Sequence, residues 1–322
     1  MLLNKVLYLV LYLLLFDFCL LVYSSPAAQT GNTGGNPPVG VRTIDSLKTA
    51  LLIAKHDTVR IRIRSEIGEE AMILRISYWD SIRTDAEKWN LKKFEAASLN
   101  NIGYIYNNRG QTKEAIAHYG RSLKIKEKIG DKKGIANTLT NIGGIYDNQG
   151  NIKEALEYYG RAIKIQEEIG DKKGISNTLI NIGFVYNNLG QVKESLNYYG
   201  QSLKIQEEIG DKKGIASSLN NIAYIYNNQG QPAEALAHFG RALKIQEEIG
   251  DKRGIAYSLT NIGSIYDKQG QPAEALAHYV RAIKIREDIG DKQGIAYSLT
   301  HIGYIYDKQG QPAEALAHYV RA

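Results

Sequence analysis

The stretch Asn141–Gly174, NIGGIYDNQGNIKEALEYYGRAIKIQEEIGDKKG, decides the fold because the chain keeps repeating it. Its lead triplet, Asn-Ile-Gly or Asn-Ile-Ala, stands at Asn101, Asn141, Asn181, Asn221 and Asn261, 40 residues apart, with a variant at His301. Tyr follows five places on in every copy, at Tyr106, Tyr146, Tyr186, Tyr226, Tyr266 and Tyr306. A fixed period of this length marks stacked identical units, each burying its apolar face against its neighbours, rather than one compact enzyme core.

Inside one unit, Leu99, Ile102, Gly103 and Tyr106 fall at i, i+3, i+4 and i+7, one face of an α-helix. Gly110 is placed to stop that helix. A second helix is expected from about Thr112, with Ala115, Ile116, Tyr119, Ser122 and Leu123 on one side, running through Ile129 to a stop at Gly130. Asp131 then sits where an N-cap belongs and opens the next helix. Gly103 and Ala115 are small where the paired helices cross closely, and Tyr106 and Tyr119 fill the space around the crossing. Gly120, Gly160, Gly200 and Gly240 interrupt the second helix, each at a cost of roughly 1 kcal/mol against Ala. Two readings stay open for them: drift among duplicated copies, or close approach of a neighbouring backbone.

The pattern Leu139, Ile142, Gly143, Tyr146, Ala155, Tyr159 and Ala162 resembles the tetratricopeptide repeat. The match covers residues 96–322 well and 58–95 poorly. The helix-ending Pro of the family is absent, with Glu167 at its place, so the second helix runs on and the period grows from about 34 to 40 residues. This long form, with Ile-Gly-Asp-Lys after the second helix, resembles the repeats of the LGN and Rapsyn group and of bacterial sensory proteins that carry such arrays before a membrane span and a kinase or cyclase. The resemblance implies an all-α fold, a right-handed α-solenoid of antiparallel helix pairs forming a superhelix.

In such arrays the first helix of each pair lines the concave surface, here positions 97, 100, 101, 104, 107 and 108 and their equivalents. That face carries an Asn ladder at Asn101, Asn141, Asn181, Asn221 and Asn261, and a second ladder of Asn107, Asp147, Asn187, Asn227, Asp267 and Asp307. Aromatic residues are interleaved at Tyr104, Phe184, Tyr224, Tyr257, Tyr297 and Tyr304. An amide offers both a donor and an acceptor to a peptide backbone, and Tyr gives contact area at low entropic cost. The expected function is a scaffold binding a protein or an extended peptide. The resemblance assigns the grip on the peptide backbone to the five leading Asn. The alternative for each Asn is a structural one, capping a helix or bridging adjacent units.

The remaining residues narrow the chemistry. Charge is mixed along every repeat, 40 basic against 34 acidic residues and a net +6, which is a solvated surface and not a nucleic-acid footprint. His118, His238, His278 and His318 recur one per unit, too far apart to share one metal ion. No Gly-rich phosphate loop follows a strand. No catalytic residue, cofactor or metal is expected within this chain. Its single cysteine, Cys19, allows no internal disulfide.

Residues 1–28 read as a secretory signal peptide: Lys5, then the apolar run Val6–Phe16 and Phe18–Tyr23 around Asp17, then Ser24, Ser25, Pro26, Ala27 and Ala28, with cleavage expected after Ala27. The expected location is periplasmic or extracytoplasmic. An uncleaved anchor or a lipidated Cys19 are the alternatives; Asp17 opposes a buried span, and Phe16, Asp17 and Phe18 are poor neighbours for a lipoprotein signal. Residues 29–43 read as a flexible linker, and 44–95 as a helical cap holding a degenerate repeat, in which Trp79 stands 40 residues before Tyr119 while Ile63 and Glu66 replace the Gly and Tyr of the consensus. Residues 96–322 hold five full repeats and a sixth that stops at Ala322 about seven residues short. That ragged end leaves two further readings: the input region of a longer membrane signalling protein, a histidine kinase or nucleotide cyclase, or an array that self-associates end to end.

Overall fold

The computed structural model describes residues 44–54, 56–70 and 75–322; the signal peptide, the linker and Cys19 lie outside them. The described residues are all-α, with fifteen helices and no strand. They are α1 (Ile44–Ile53), α2 (Asp57–Glu70), α3 (Ile76–Lys88), α4 (Lys92–Asn108), α5 (Thr112–Ile129), α6 (Lys132–Asn148), α7 (Ile152–Glu168), α8 (Lys172–Asn188), α9 (Val192–Ile209), α10 (Lys212–Asn228), α11 (Pro232–Ile249), α12 (Lys252–Lys268), α13 (Pro272–Asp288), α14 (Lys292–Lys308) and α15 (Pro312–Arg321). None is long and apolar enough to cross a membrane. The chain forms two units, Val39–Ile245 and Gln246–Ala322.

The turns follow from glycine and aspartate. At the end of α4, Gly110 takes φ +72, and the amides of Gly110 and Gln111 donate to the carbonyls of Asn107 and Tyr106 at 2.9 Å each. This left-handed closure satisfies carbonyls that the helix end leaves unpaired. Gly130 (φ +70) ends α5 in the same way. The Asp131 carboxylate next accepts from the amide of Gly134 at 2.9 Å and caps α6. One Gly-Asp pair thus closes one helix and opens the next, which leaves no room for a longer loop.

Packing within a pair is as tight as the pattern demands. A Cβ built on Gly103 would meet the Tyr119 ring at 3.0 Å and the Ala115 carbonyl at 3.2 Å. Tyr119, Tyr159 and Phe239 are fully buried. Each interior ring of this size contributes several kcal/mol, as the ~3–5 kcal/mol cost of truncating one shows. In the cap, Trp79 is buried as its register to Tyr119 requires, but its small partner is Gly68, whose Cβ would lie 2.6 Å from the indole. Ile63, in Gly103's place, is simply a core residue. The consensus glycine has therefore moved five residues along the helix rather than vanished.

A polar contact seals each junction between repeats. Gln166 and Gln206 are buried on α7 and α9, and their carbonyls accept from Thr178 (3.1 Å) and Ser218 (2.8 Å) on the next helix. At the first junction Lys126 takes this place, donating to Thr138 at 2.7 Å. In the unit Gln246–Ala322, Gln246 accepts from Ser258 at 2.7 Å, and Arg286 donates to Ser298 and, at 2.7 Å, to the Gly294 carbonyl. Burial drives the Lys126 ammonium down to about 8, partly offset by the Asp131 carboxylate. The glycine after each cap is set by the same contact: a Cβ on Gly214 would meet the Gln206 side chain at 2.9 Å.

Gly120, Gly160, Gly200 and Gly240 have nothing within 4 Å of an added Cβ. No neighbouring backbone approaches them, so of the two readings only drift on an open face stands.

Candidate functional site

In the unit Val39–Ile245, α4 touches α6, α6 touches α8 and α8 touches α10, in addition to each helix's contacts with its own partner. Direct packing of first helix on first helix puts this row on the inner side of that unit. The Asn ladder stands on it. Asn101, Asn141, Asn181 and Asn221 are half-buried, held beside the core by Ile102, Ile142, Ile182 and Ile222. Among the described residues, none of these four side chains hydrogen-bonds within the protein, and none caps a helix. Four amides with both faces of their chemistry unspent thus point out along one row.

The aromatic positions flank them. Tyr104, Phe184 and Tyr224 are 41%, 48% and 43% exposed. Asn107, Asn187 and Asn227 stand half-buried one helical turn further on. The series at the aromatic position reads Tyr104, Gly144, Phe184, Tyr224, so one place is empty. A Cβ at Gly144 would meet only the Tyr159 hydroxyl, at 3.6 Å. The gap opens a cavity of about 280 Å³ between Tyr104 and Phe184. Asn107, Asn141 and Asn181 line it, with Asp147 and the rings of Tyr119 and Tyr159. Five predicted site residues therefore converge: Asn107, Asn141, Asn181, Tyr104 and Phe184. Asn101, Asn187, Asn221, Asn227 and Tyr224 lie on the same helices outside the cavity.

Asp147 is the only charged residue lining the cavity, and among the described residues no ion pair or hydrogen bond engages its carboxylate. Burial raises its pKa above the ordinary carboxylate range. Burial also raises the Tyr159 phenol, and the nearby Asp147 charge adds to that. Spacing singles out positions by the residue most copies carry there. The role of Gly144 comes from a missing side chain, and its signal in the sequence is the break it makes in the aromatic series.

In the unit Gln246–Ala322, Asn261 donates from Nδ2 to the Tyr257 carbonyl at 2.9 Å, so part of its amide is spent within its own helix. Tyr304 is 47% exposed and lies under the Lys308 ammonium, 4.2 Å from the ring centroid. The recurrent histidines are packing groups. The His118 ring lies over Tyr106 at 5.1 Å, and its Nδ1 is 2.8 Å from the Glu114 carbonyl; a carbonyl only accepts, so Nδ1 carries the proton. His238 repeats this on Tyr226 and Glu234, while Tyr158 and Tyr198 stack in the equivalent places on Tyr146 and Tyr186.

A family model described as Tetratricopeptide repeat matches residues 94–168, 174–248, 214–288 and 254–322. The chain belongs to the tetratricopeptide-repeat family, whose arrays are protein-binding scaffolds and typically not enzymes. Among solved structures, BtubC (BKLC) from P. vanneervenii is similar over 77% of this chain and 91% of its own, at 19% identity and a TM-score of 0.54. The signal transduction ATPase with numerous domains from Pyrococcus horikoshii, which has a tetratricopeptide repeat sensor, aligns over 82% of this chain and 43% of its own, at 16% identity and a TM-score of 0.62. A Rap protein complexed with Competence and Sporulation Factor aligns over 86% of this chain and 89% of its own, at 14% identity and a TM-score of 0.61. At these identities the likeness is one of fold. No curated protein matches the sequence.

Proposed function

We propose that the chain is an exported scaffold that holds an extended segment of a partner protein along the inner face of α4, α6, α8 and α10. The observation that carries this reading is the row Asn101, Asn141, Asn181 and Asn221: half-buried amides, one per repeat, without hydrogen-bond partners among the described residues. An extended peptide presents one donor and one acceptor per residue, the complement of an amide at each step. Tyr104, Phe184 and Tyr224 supply apolar contact beside each amide. A purely structural Asn would spend its amide inside the protein, as Asn261 does in part on the Tyr257 carbonyl of its own helix.

The test is selection from a random decapeptide library against the full chain. The triple variant Asn141→Ala, Asn181→Ala and Asn221→Ala serves as counter-target, with circular dichroism confirming its fold. Peptides that bind the parent and not the variant are expected; equal recovery on both would refute the groove. Export rests on the order of Lys5, the apolar run and the small residues Ser24–Ala28. Residues 1–43 fused to a reporter active only outside the cytoplasm should give signal, and none once Leu13–Leu15 are replaced by Lys.

A further inference from the structure

The cavity between Tyr104 and Phe184 holds one carboxylate and no cation, and the other unit contains its filled counterpart. Subtracting three repeats of 40 from Ser264, Asp267, Tyr304 and Lys308 gives Gly144, Asp147, Phe184 and Asn188. The two sets match in kind at three places: a small residue, an aspartate, and an aromatic from the next first helix. They differ at the fourth. In the unit Gln246–Ala322, Lys308 lies over the Tyr304 ring at 4.2 Å and pairs with Asp267 at 3.3 Å. The protein's own ammonium there occupies the space between ladder carboxylate and aromatic face. In the unit Val39–Ile245 the corresponding residue is Asn188, which carries no charge and is exposed. Among the described residues Asp147 has no counter-ion, and it faces an open volume of about 280 Å³.

We propose that this cavity takes a basic side chain of the bound segment, a lysine ammonium or an arginine guanidinium, with Asp147 as counter-charge. Phe184 and Tyr104 offer the aromatic faces between which it lies. The inference rests on the peptide-binding reading above and names what one subsite of that face selects. An aromatic face attracts a cation through its quadrupole, more strongly as water is excluded. A carboxylate that is already partly desolvated loses little further hydration when a cation arrives, so the ion pair is gained at low cost. The amides of Asn141 and Asn181 remain free for the peptide backbone on either side. An acidic or apolar side chain would leave the half-buried Asp147 carboxylate uncompensated.

Two variants test this without disturbing the fold. Asp147→Asn removes the charge and keeps the shape; Asn already stands in that register at Asn107, Asn187 and Asn227. Asn188→Lys supplies from within the cation that Lys308 supplies in the other unit. Decapeptides selected on the full-length parent from a random displayed library are expected to share a Lys or Arg at one position. That enrichment should disappear in selections on either variant, while peptides of other sequence are still recovered. A selected peptide and its Lys→Gln or Arg→Gln counterpart should differ about tenfold in Kd for the parent by titration calorimetry and by no more than about twofold for Asp147→Asn, which keeps only the aromatic faces. Peptides recovered without a basic position, or a basic position that persists on Asp147→Asn, would overturn the proposal and leave the groove intact. Failure to recover any peptide on the parent would overturn both readings.

Discussion

Lys126 is the one lysine in a place that three other repeats fill with glutamine, Gln166, Gln206 and Gln246, and replacing it gives the sharpest test of the packing account. Its ammonium is buried and donates to Thr138 at 2.7 Å and to Asn100 at 3.4 Å, with the Asp131 carboxylate giving partial compensation. Burial lowers its pKa from 10.5 to about 8. A base whose pKa falls on folding binds protons more weakly in the folded state. Its penalty is therefore full well below pH 8 and fades as pH rises from about 8 to 10.5. The displacement corresponds to about 3 kcal/mol at neutral pH, shrinking to roughly a quarter of that at pH 10. Lys126→Gln removes the penalty and restores the contact seen between Gln166 and Thr178, so Thr138 keeps a partner. The variant should be more stable than the parent by about 1–3 kcal/mol at pH 7. That gap should close as pH approaches 10. Urea unfolding of both proteins at pH 7 and pH 10, followed by circular dichroism, reads it directly. A variant less stable than the parent at pH 7, or a gap of equal size at both pH values, would show that the buried ammonium carries no such penalty.

Two further outcomes follow from the same geometry. Replacing Gly120, Gly160, Gly200 and Gly240 by Ala should add about 0.5–1 kcal/mol each, since nothing lies within 4 Å of the added methyl groups; a lower unfolding midpoint for the fourfold variant would show that these glycines serve a close approach after all. Asp211→Ala removes the carboxylate that accepts from Gly214 at 3.1 Å and should cost about 1 kcal/mol, measured as faster amide exchange in the first turn of α10; unchanged protection there would remove the cap from the account.

The helix pairs were legible because they rest on spacing, and spacing survives without coordinates. Gly110, Gly130 and Asp131 marked the helix ends, and Gly103 with Tyr119 marked the crossing; each acts on residues within one pair, so local pattern sufficed. The junction between repeats was not legible. Lys126, Gln166, Gln206 and Arg286 look like solvated residues on a charged helix, and only the stacking of the next helix buries them against Thr138, Thr178, Ser218 and Ser298. Gly68 escaped notice because its partner Trp79 kept the repeat register and it did not. At the candidate site the ladders identified the face. The cavity is written in differences between copies, namely Gly144 for an aromatic, Asp147 for Asn and Asn188 for Lys, and a consensus averages such differences away. The same holds for Asn261, whose bond to the Tyr257 carbonyl separates it from four otherwise identical amides.

If the inner-face amides hold a peptide backbone, their own resonances report it. The full chain, labelled with 15N on asparagine side chains only, is titrated with a library-selected decapeptide. Shifts are expected at the amides of Asn101, Asn141, Asn181 and Asn221, largest at Asn141 and Asn181 beside the cavity, with the amide of Asn151, at the start of α7, unmoved. Binding that shifts Asn151 and leaves the four inner amides in place would contradict it.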